Sequence, residues 1–264
     1  MDKLQALVRV CAIVTALLGG FEPLSTAAVA QVTRTIDRTD LRGDVMRGQL
    51  LRLSQALAAN SKATLLAIGS SSTVGVGASA PSNTYVARLE VDLENALRGV
   101  DFQVIGRGVS GELARGAADR MKREVEASKP DLVIWQVGTN DALRHVAIDD
   151  FQNCLKHTLA WLKMQGIDVI LINPQYGDTL IKDSHYARIV ATIADVARDA
   201  QVTLVDRFDA MRTLWRGSDG SYLTADNLHM NDEGYRRLAE QLAATIIAAL
   251  PQRSAAMTAI TPTR

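Results

Sequence analysis

The sequence predicts an α/β fold: one α/β/α sandwich built on about five parallel strands. Three observations carry this. Short, continuous apolar runs of strand length alternate with longer segments whose apolar residues recur at helical spacing. The runs show no polar alternation, as expected of strands covered on both faces. Glycines and polar residues collect just after the apolar runs, at the carboxyl ends where open parallel sheets bind ligands.

The first thirty residues form a separate regime. Lys3 and Arg9 supply a basic start, Val8 to Leu18 is almost wholly apolar, and Ala28-Val29-Ala30 offers a small-x-small cleavage site before Gln31. The apolar run is short for a bilayer span. The expectation is a cleaved secretory signal over 1–30, with an uncleaved anchor as the alternative. A secreted or periplasmic location without stable membrane insertion after cleavage follows from it. A flexible lead-in over 31–39, one domain over 40–251 and a disordered Ser/Thr/Ala/Pro-rich tail over 252–264 complete the organisation.

Within the domain, Val45, Leu50, Leu53 and Leu57 predict a helix from Asp40 to Asn60. A strand follows over Thr64–Ile68, ending in Gly69-Ser70-Ser71-Ser72-Thr73. Pro81-Ser82-Asn83 starts a helix whose stripe is Tyr85, Leu89, Leu93 and Leu97. Phe102–Ile105 is the second strand, leading into the glycine-rich 106–111. A helix over 112–128 closes at Lys129-Pro130. The third strand, Leu132–Val137, runs into Gly138-Thr139-Asn140-Asp141. Helix 149–165, strand 167–172, helix 184–200, strand 202–205 and helix 231–250 complete the alternation.

Composition excludes several function classes. Lys plus Arg is 29 and Asp plus Glu is 29, so no net field attracts nucleic acid. Aromatic residues make up 5%, too few for a base-stacking surface. The two cysteines are Cys11, inside the expected signal, and Cys154, so the mature chain has no internal disulfide. Cys154 sits in an amphipathic pattern and reads as a small core residue. No Cys/His cluster has the ligand spacing of a structural zinc site.

The loops at the strand ends hold the components of acyl transfer. That chemistry needs a hydroxyl, a base, a group orienting the base, and donors for an oxyanion. Histidine is the base suited to neutral pH. His145, His157 and His185 fall in or beside helices and read as surface or core residues. His229 lies in a loop before the last helix, three positions after Asp226. At that spacing a carboxylate reaches Nδ1–H while Nε2 faces a serine, although Asp226 also reads as a turn residue. The Asn140 amide and the backbone N–H groups of Gly108 and the serine are candidate oxyanion donors. Asn140 also suits an N-cap and Gly108 a tight turn.

Four blocks together resemble a known family. Gly69-Ser70-Ser71-Ser72-Thr73-Val74-Gly75, Gly108 in Arg-Gly-Val-Ser-Gly, Gly138-Thr139-Asn140-Asp141 and Asp226-Asn227-Leu228-His229 resemble the motif blocks of the SGNH hydrolases, the GDSL-type lipases and esterases. The resemblance runs over roughly residues 60–250. It implies a flavodoxin-like sandwich that hydrolyses esters without a cofactor. It places the nucleophile at Ser71, among three consecutive hydroxyls, with His229 and Asp226 as acid–base pair. It places oxyanion donors at Ser71, Gly108 and Asn140. Two positions depart from the family pattern: Ser70 stands where Asp is usual, and Gly106 where Asn is common.

Other readings fit less well. Gly75-Val76-Gly77-Ala78-Ser79-Ala80 has the dinucleotide-binding spacing, but the glycines come too late after the strand. The G-x-S-x-G elbow is absent because position 73 is Thr. The expected substrate is a small-molecule or carbohydrate ester with a short acyl group, including carbohydrate O-acetyl groups. An acyl transferase or a catalytically weak carbohydrate-binding member of the same fold is the alternative. Gln175 and Tyr176, after the fourth strand, are the expected substrate contacts, in one of two pocket-shaping loops with 143–148.

Overall fold

The computed structural model describes residues 49–214 and 222–251. The expected signal, lead-in and tail lie outside them. Five strands form one parallel sheet: β1 (Lys62–Gly69), β2 (Asp101–Gly108), β3 (Leu132–Gln136), β4 (Asp168–Ile172) and β5 (Thr203–Val205). Their spatial order is β2-β1-β3-β4-β5, the flavodoxin-like order. The chain moves outward from β1 to β2, then returns past β1 to β3, so the winding reverses between β1 and β3. At such a switch point the loops leaving neighbouring strands part and open a crevice.

Side-chain alternation along each strand builds two cores. Leu65, Ala67, Leu132, Ile134, Ile170, Ile172 and Val205 face one side. There they meet α1 (Leu51–Asn60), α3 (Tyr85–Ala96) and α9 (Asp232–Ala249), through residues such as Leu53, Leu89, Leu93, Leu242 and Ile246. Leu66, Ile68, Val133, Trp135, Val169, Leu171 and Leu204 face the other side. They meet α4 (Ala114–Ser128), α6 (Ile148–Met164) and α7 (Ser184–Ala200), through Met121, Leu155, Leu159, Ile189 and Ile193. Both faces of the inner strands β1, β3 and β4 are therefore apolar and read as nearly continuous hydrophobic runs, whereas the edge strand β2 carries exposed polar positions.

Three short helices sit where loops are expected: α2 (Ser71–Val74), α5 (Thr139–Leu143) and α8 (Arg207–Asp209), the last followed by a π-helical turn over Ala210–Leu214. The segment Gly106–Gly108, expected as a turn, is instead the end of β2, paired with β1 from Ala67 to Gly69. Without a Cβ, Gly108 lies against the backbone of α2: a Cβ there would stand 2.4 Å from Val74 N. Helix α4 begins at Ala114, two residues later than expected, because its first free N–H is met from a distance. Both oxygens of Asp141 accept from Ala114 N, at 3.0 and 3.1 Å.

Candidate active site

Ser71 owes its position to the abrupt end of β1. A Cβ on Gly69 would stand 2.7 Å from the Gln136 carbonyl, so only glycine fits this turn. The chain then winds into α2, where Thr73 N and Val74 N both bond to Ser70 O. The turn sends the three hydroxyls in different directions. Ser70 Oγ–H and N–H both donate to Gln136 Oε1 at 3.0 Å, and Ser70 is buried. Ser72, also buried, accepts from Arg207 Nη1 at 3.3 Å. Ser71 Oγ, half-exposed, stands 3.1 Å from His229 Nε2.

His229 is delivered by a compact loop ahead of α9. Thr224 N bonds to His229 O at 2.7 Å and Asn231 N to Tyr222 O at 3.1 Å, so the loop folds back on itself. Asp226 closes it: Oδ1 accepts from Leu228 N and His229 N at 2.9 Å and from the Thr224 hydroxyl at 2.6 Å. Its other oxygen, Oδ2, lies 2.6 Å from His229 Nδ1. The turn role and the histidine-orienting role expected of Asp226 are thus held by different oxygens of one carboxylate. The Thr224 hydroxyl first, and His229 next, hold the Asp226 carboxyl far below the usual carboxylate range. A carboxylate only accepts, so Nδ1 carries the proton and Nε2 of the neutral ring is free to accept from Ser71. The arrangement can pass a proton from the hydroxyl to the ring.

Gly108 and Asn140 lie on the same sheet edge. Gly108 ends β2 beside Gly69, and Asn140 stands in the first turn of α5 after β3. One N–H of the Asn140 amide donates to Glu112 O at 2.9 Å, fixing the side chain and leaving its second N–H available. Asp141 beside it is almost fully buried, and that desolvation pushes its carboxyl up to about 6 despite the Ala114 hydrogen bonds.

The expectation for Gln175 is corrected. Its side chain is 2% exposed and spent on the interior: Oε1 accepts from Thr139 Oγ1 and Arg207 Nη2, and Nε2 donates to Leu228 O. No open face remains to meet a substrate. Tyr176 is half-buried, its ring edge-on to Phe208 at 5.4 Å and its hydroxyl donating to Asp178. Arg207 and Gln136 were not singled out by sequence reasoning. The signal for Arg207 was available: Asp206-Arg207 follows β5 directly, in the position that holds polar residues after every other strand. Gln136 was masked by lying inside an apolar run.

The remaining candidates fall where expected. His145 and His185 stack at 4.9 Å, His145 also pairs with Asp183, and His157 is exposed on α6. Cys154 packs against the core edge, and burial pushes its thiol up. Among the described residues no group of His, Cys, Asp and Glu could hold a metal, and no helix is long and apolar enough to cross a membrane.

The chain is similar to several known proteins. Esterase TesA of Pseudomonas aeruginosa is 29% identical over 157 residues, 58% of this chain and 74% of the relative. An acetylxylan esterase of Geobacillus stearothermophilus is 26% identical over 172 residues, 59% of this chain and 77% of the relative. The crystal structure of a lipase/acylhydrolase from Enterococcus faecalis superposes with a TM-score of 0.62 at 27% identity. It covers 73% of this chain and all of that one. Residues 43–252 match the model of the non-GDSL lipase-like family, which spans both cores and every side chain of the site. The chain belongs to that family, within the SGNH hydrolase superfamily.

Proposed function

We propose that this protein hydrolyses short acyl esters, carbohydrate O-acetyl groups among them, through Ser71, His229 and Asp226. Its class as a carboxylic ester hydrolase rests on the family and on relatives that are esterases. The observation that carries the mechanism is the continuous relay from Asp226 Oδ2 to His229 Nδ1 and from His229 Nε2 to Ser71 Oγ, at 2.6 and 3.1 Å.

In this mechanism His229 takes the Ser71 proton as Oγ attacks the ester carbonyl. Negative charge develops on the carbonyl oxygen and is met by the free Asn140 amide N–H and the backbone N–H groups of Ser71 and Gly108. Asp226 steadies the imidazolium, which then protonates the leaving alcohol. Water repeats the sequence on the acyl-enzyme. The short-acyl assignment is supported by the sequence, in which no long apolar insertion is evident that could close as a lid over an acyl chain. Tyr176 is the proposed contact for the alcohol portion.

Export is part of the same proposal and is supported by the targeting pattern of residues 1–30. Release of acetate from acetylated xylooligosaccharides and of p-nitrophenol from short esters, both lost in Ser71→Ala, tests the reaction. Product analysis with added glycan acceptors separates hydrolysis from transfer. An exported protein that begins at Gln31 tests the signal.

A further inference from the structure

We propose that Arg207 is a positioning residue for this reaction, a buried cationic clamp that holds Ser71, Asn140 and His229 in register through their immediate neighbours. The inference rests on the ester-hydrolase reading above and extends it to a residue behind the site.

The guanidinium is fully buried. Its partners are all neutral: the Asn173 carbonyl at 3.1 Å from Nε, Ser72 Oγ at 3.3 Å and Met230 Sδ at 4.0 Å from Nη1, and Gln175 Oε1 at 2.9 Å from Nη2. Among the described residues no carboxylate forms an ion pair with it. The carboxylate of its neighbour Asp206 is occupied by Asn173 Nδ2 and Asp209 N. Desolvation lowers the guanidinium's proton affinity, partly countered by Tyr186, Tyr235 and Tyr85, but arginine stays charged in proteins. A buried, unpaired charge is costly, and an apolar side chain of the same volume is the stabilising choice for a core. Its burial among neutral partners points to a role other than packing.

Its partners say what the role is. Ser72 adjoins Ser71. Met230 adjoins His229 on one side. On the other side is Leu228, whose carbonyl is held by Gln175 Nε2 at 2.8 Å. Gln175 Oε1, which Arg207 grips, also takes the hydroxyl of Thr139, the neighbour of Asn140. The planar fork of one guanidinium thus bonds three separated chain segments directly, at Ser72, Asn173–Gln175 and Met230, and reaches a fourth, Thr139 beside Asn140, through Gln175, without touching the catalytic groups themselves. A rigid, multidentate donor does this; a flexible ammonium does not. A misplacement of well under an ångström at Ser71 or His229 is enough to slow proton transfer.

The test compares wild type with Arg207→Met, Arg207→Lys and Gln175→Leu, counting competent sites with a fluorophosphonate that titrates the reactive serine. In Arg207→Met, kcat per titrated site is expected to fall about tenfold or more with KM within about threefold. Arg207→Lys, which keeps the charge but loses the fork, is expected to recover little of it. A purely structural role would instead reduce the number of titratable sites and leave each survivor at the wild-type rate. A fall per site smaller than that in Arg207→Met, or full recovery by lysine, overturns the proposal. If Arg207→Met does not fold, Gln175→Leu decides by the same criterion. Wild type that fails to react with the fluorophosphonate or to cleave any ester would sink the hydrolase reading itself, a distinct result.

Discussion

His229 Nε2 stands 3.1 Å from Ser71 Oγ across 158 positions of sequence. One residue is placed by the end of the first strand and the other by a loop before the last helix, so no local turn fixes the distance. The parallel sheet does so, because it brings every strand's carboxyl end to one rim.

Ser71→Ala is expected to lower kcat on p-nitrophenyl acetate by about 10³-fold or more. Ser70→Ala and Ser72→Ala should each keep a labelled serine, because their hydroxyls point to Gln136 and Arg207. Mass spectrometry of the phosphonylated peptide identifies the residue that attacks. Modification retained in Ser71→Ala would reassign the nucleophile.

The low proton affinity of Asp226 leads to a shape for the pH profile. Its carboxyl is held down by the Thr224 hydroxyl and His229, so it stays ionised throughout the acid range in which enzyme assays are run. The acid limb of log kcat/KM is expected to have a slope of one, from a single proton on the imidazole. A slope of two would show Asp226 protonating in the same range. Asp226→Asn is expected to reduce kcat about 10²- to 10⁴-fold with the fold retained by circular dichroism.

Asn140→Ala removes one proposed oxyanion donor and the tie to Glu112 O. A fall of about 10²- to 10³-fold in kcat, with KM little changed, is expected from steady-state kinetics. A rise in KM alone would show that Asn140 binds the ground state and not the developing charge.

Gly108→Ala places a Cβ 2.4 Å from Val74 N and 2.8 Å from Thr73 C. Both are backbone atoms that cannot rotate away, so β2 must part from α2. A loss of stability on the order of 1–3 kcal/mol is expected, read as a lowered Tm, with activity falling as well. Unchanged Tm would mean that the edge of the sheet yields freely.

Asp141 makes a thermodynamic prediction. Burial raises its carboxyl from 3.8 to about 6 in the folded protein. The native state therefore binds its proton more tightly than the unfolded chain does. Its contribution favours folding at low pH and is lost as pH rises from about 4 to 6. Asp141→Asn removes this term, so the variant's stability relative to wild type should rise over that interval, by roughly 3 kcal/mol at most. Denaturant titrations at both ends of the interval measure it. A difference that does not change with pH would show that Asp141 titrates normally.

Much of the fold was legible because both faces of the sheet are covered. Leu132–Trp135 and Val169–Ile172 read as apolar runs for that reason, and the bounds of α7 match those read from the sequence. Elements whose limits depend on distant partners were read less well. Helix α4 starts where Asp141 supplies a cap from 27 positions away, and β2 runs on through its glycines because β1 pairs with them. Gln175 looked like a surface polar residue after a strand; its burial follows from Arg207, Thr139 and Leu228, none of them near it in sequence.

The amino-acid sequence by itself determined which residue types are available to the proposed chemistry and where along the chain they lie: Ser71, Gly108 and Asn140 at or just past apolar runs, and the Asp226–His229 pair ahead of the last helix. Tertiary structure alone decided which of three adjacent serines faces the imidazole, which polar residues turn inward, and that a buried guanidinium stands behind them. The physical reason is that hydrophobic periodicity is a local property recorded residue by residue. The direction of a side chain in a loop is set by partners that reach it only after the sheet has closed.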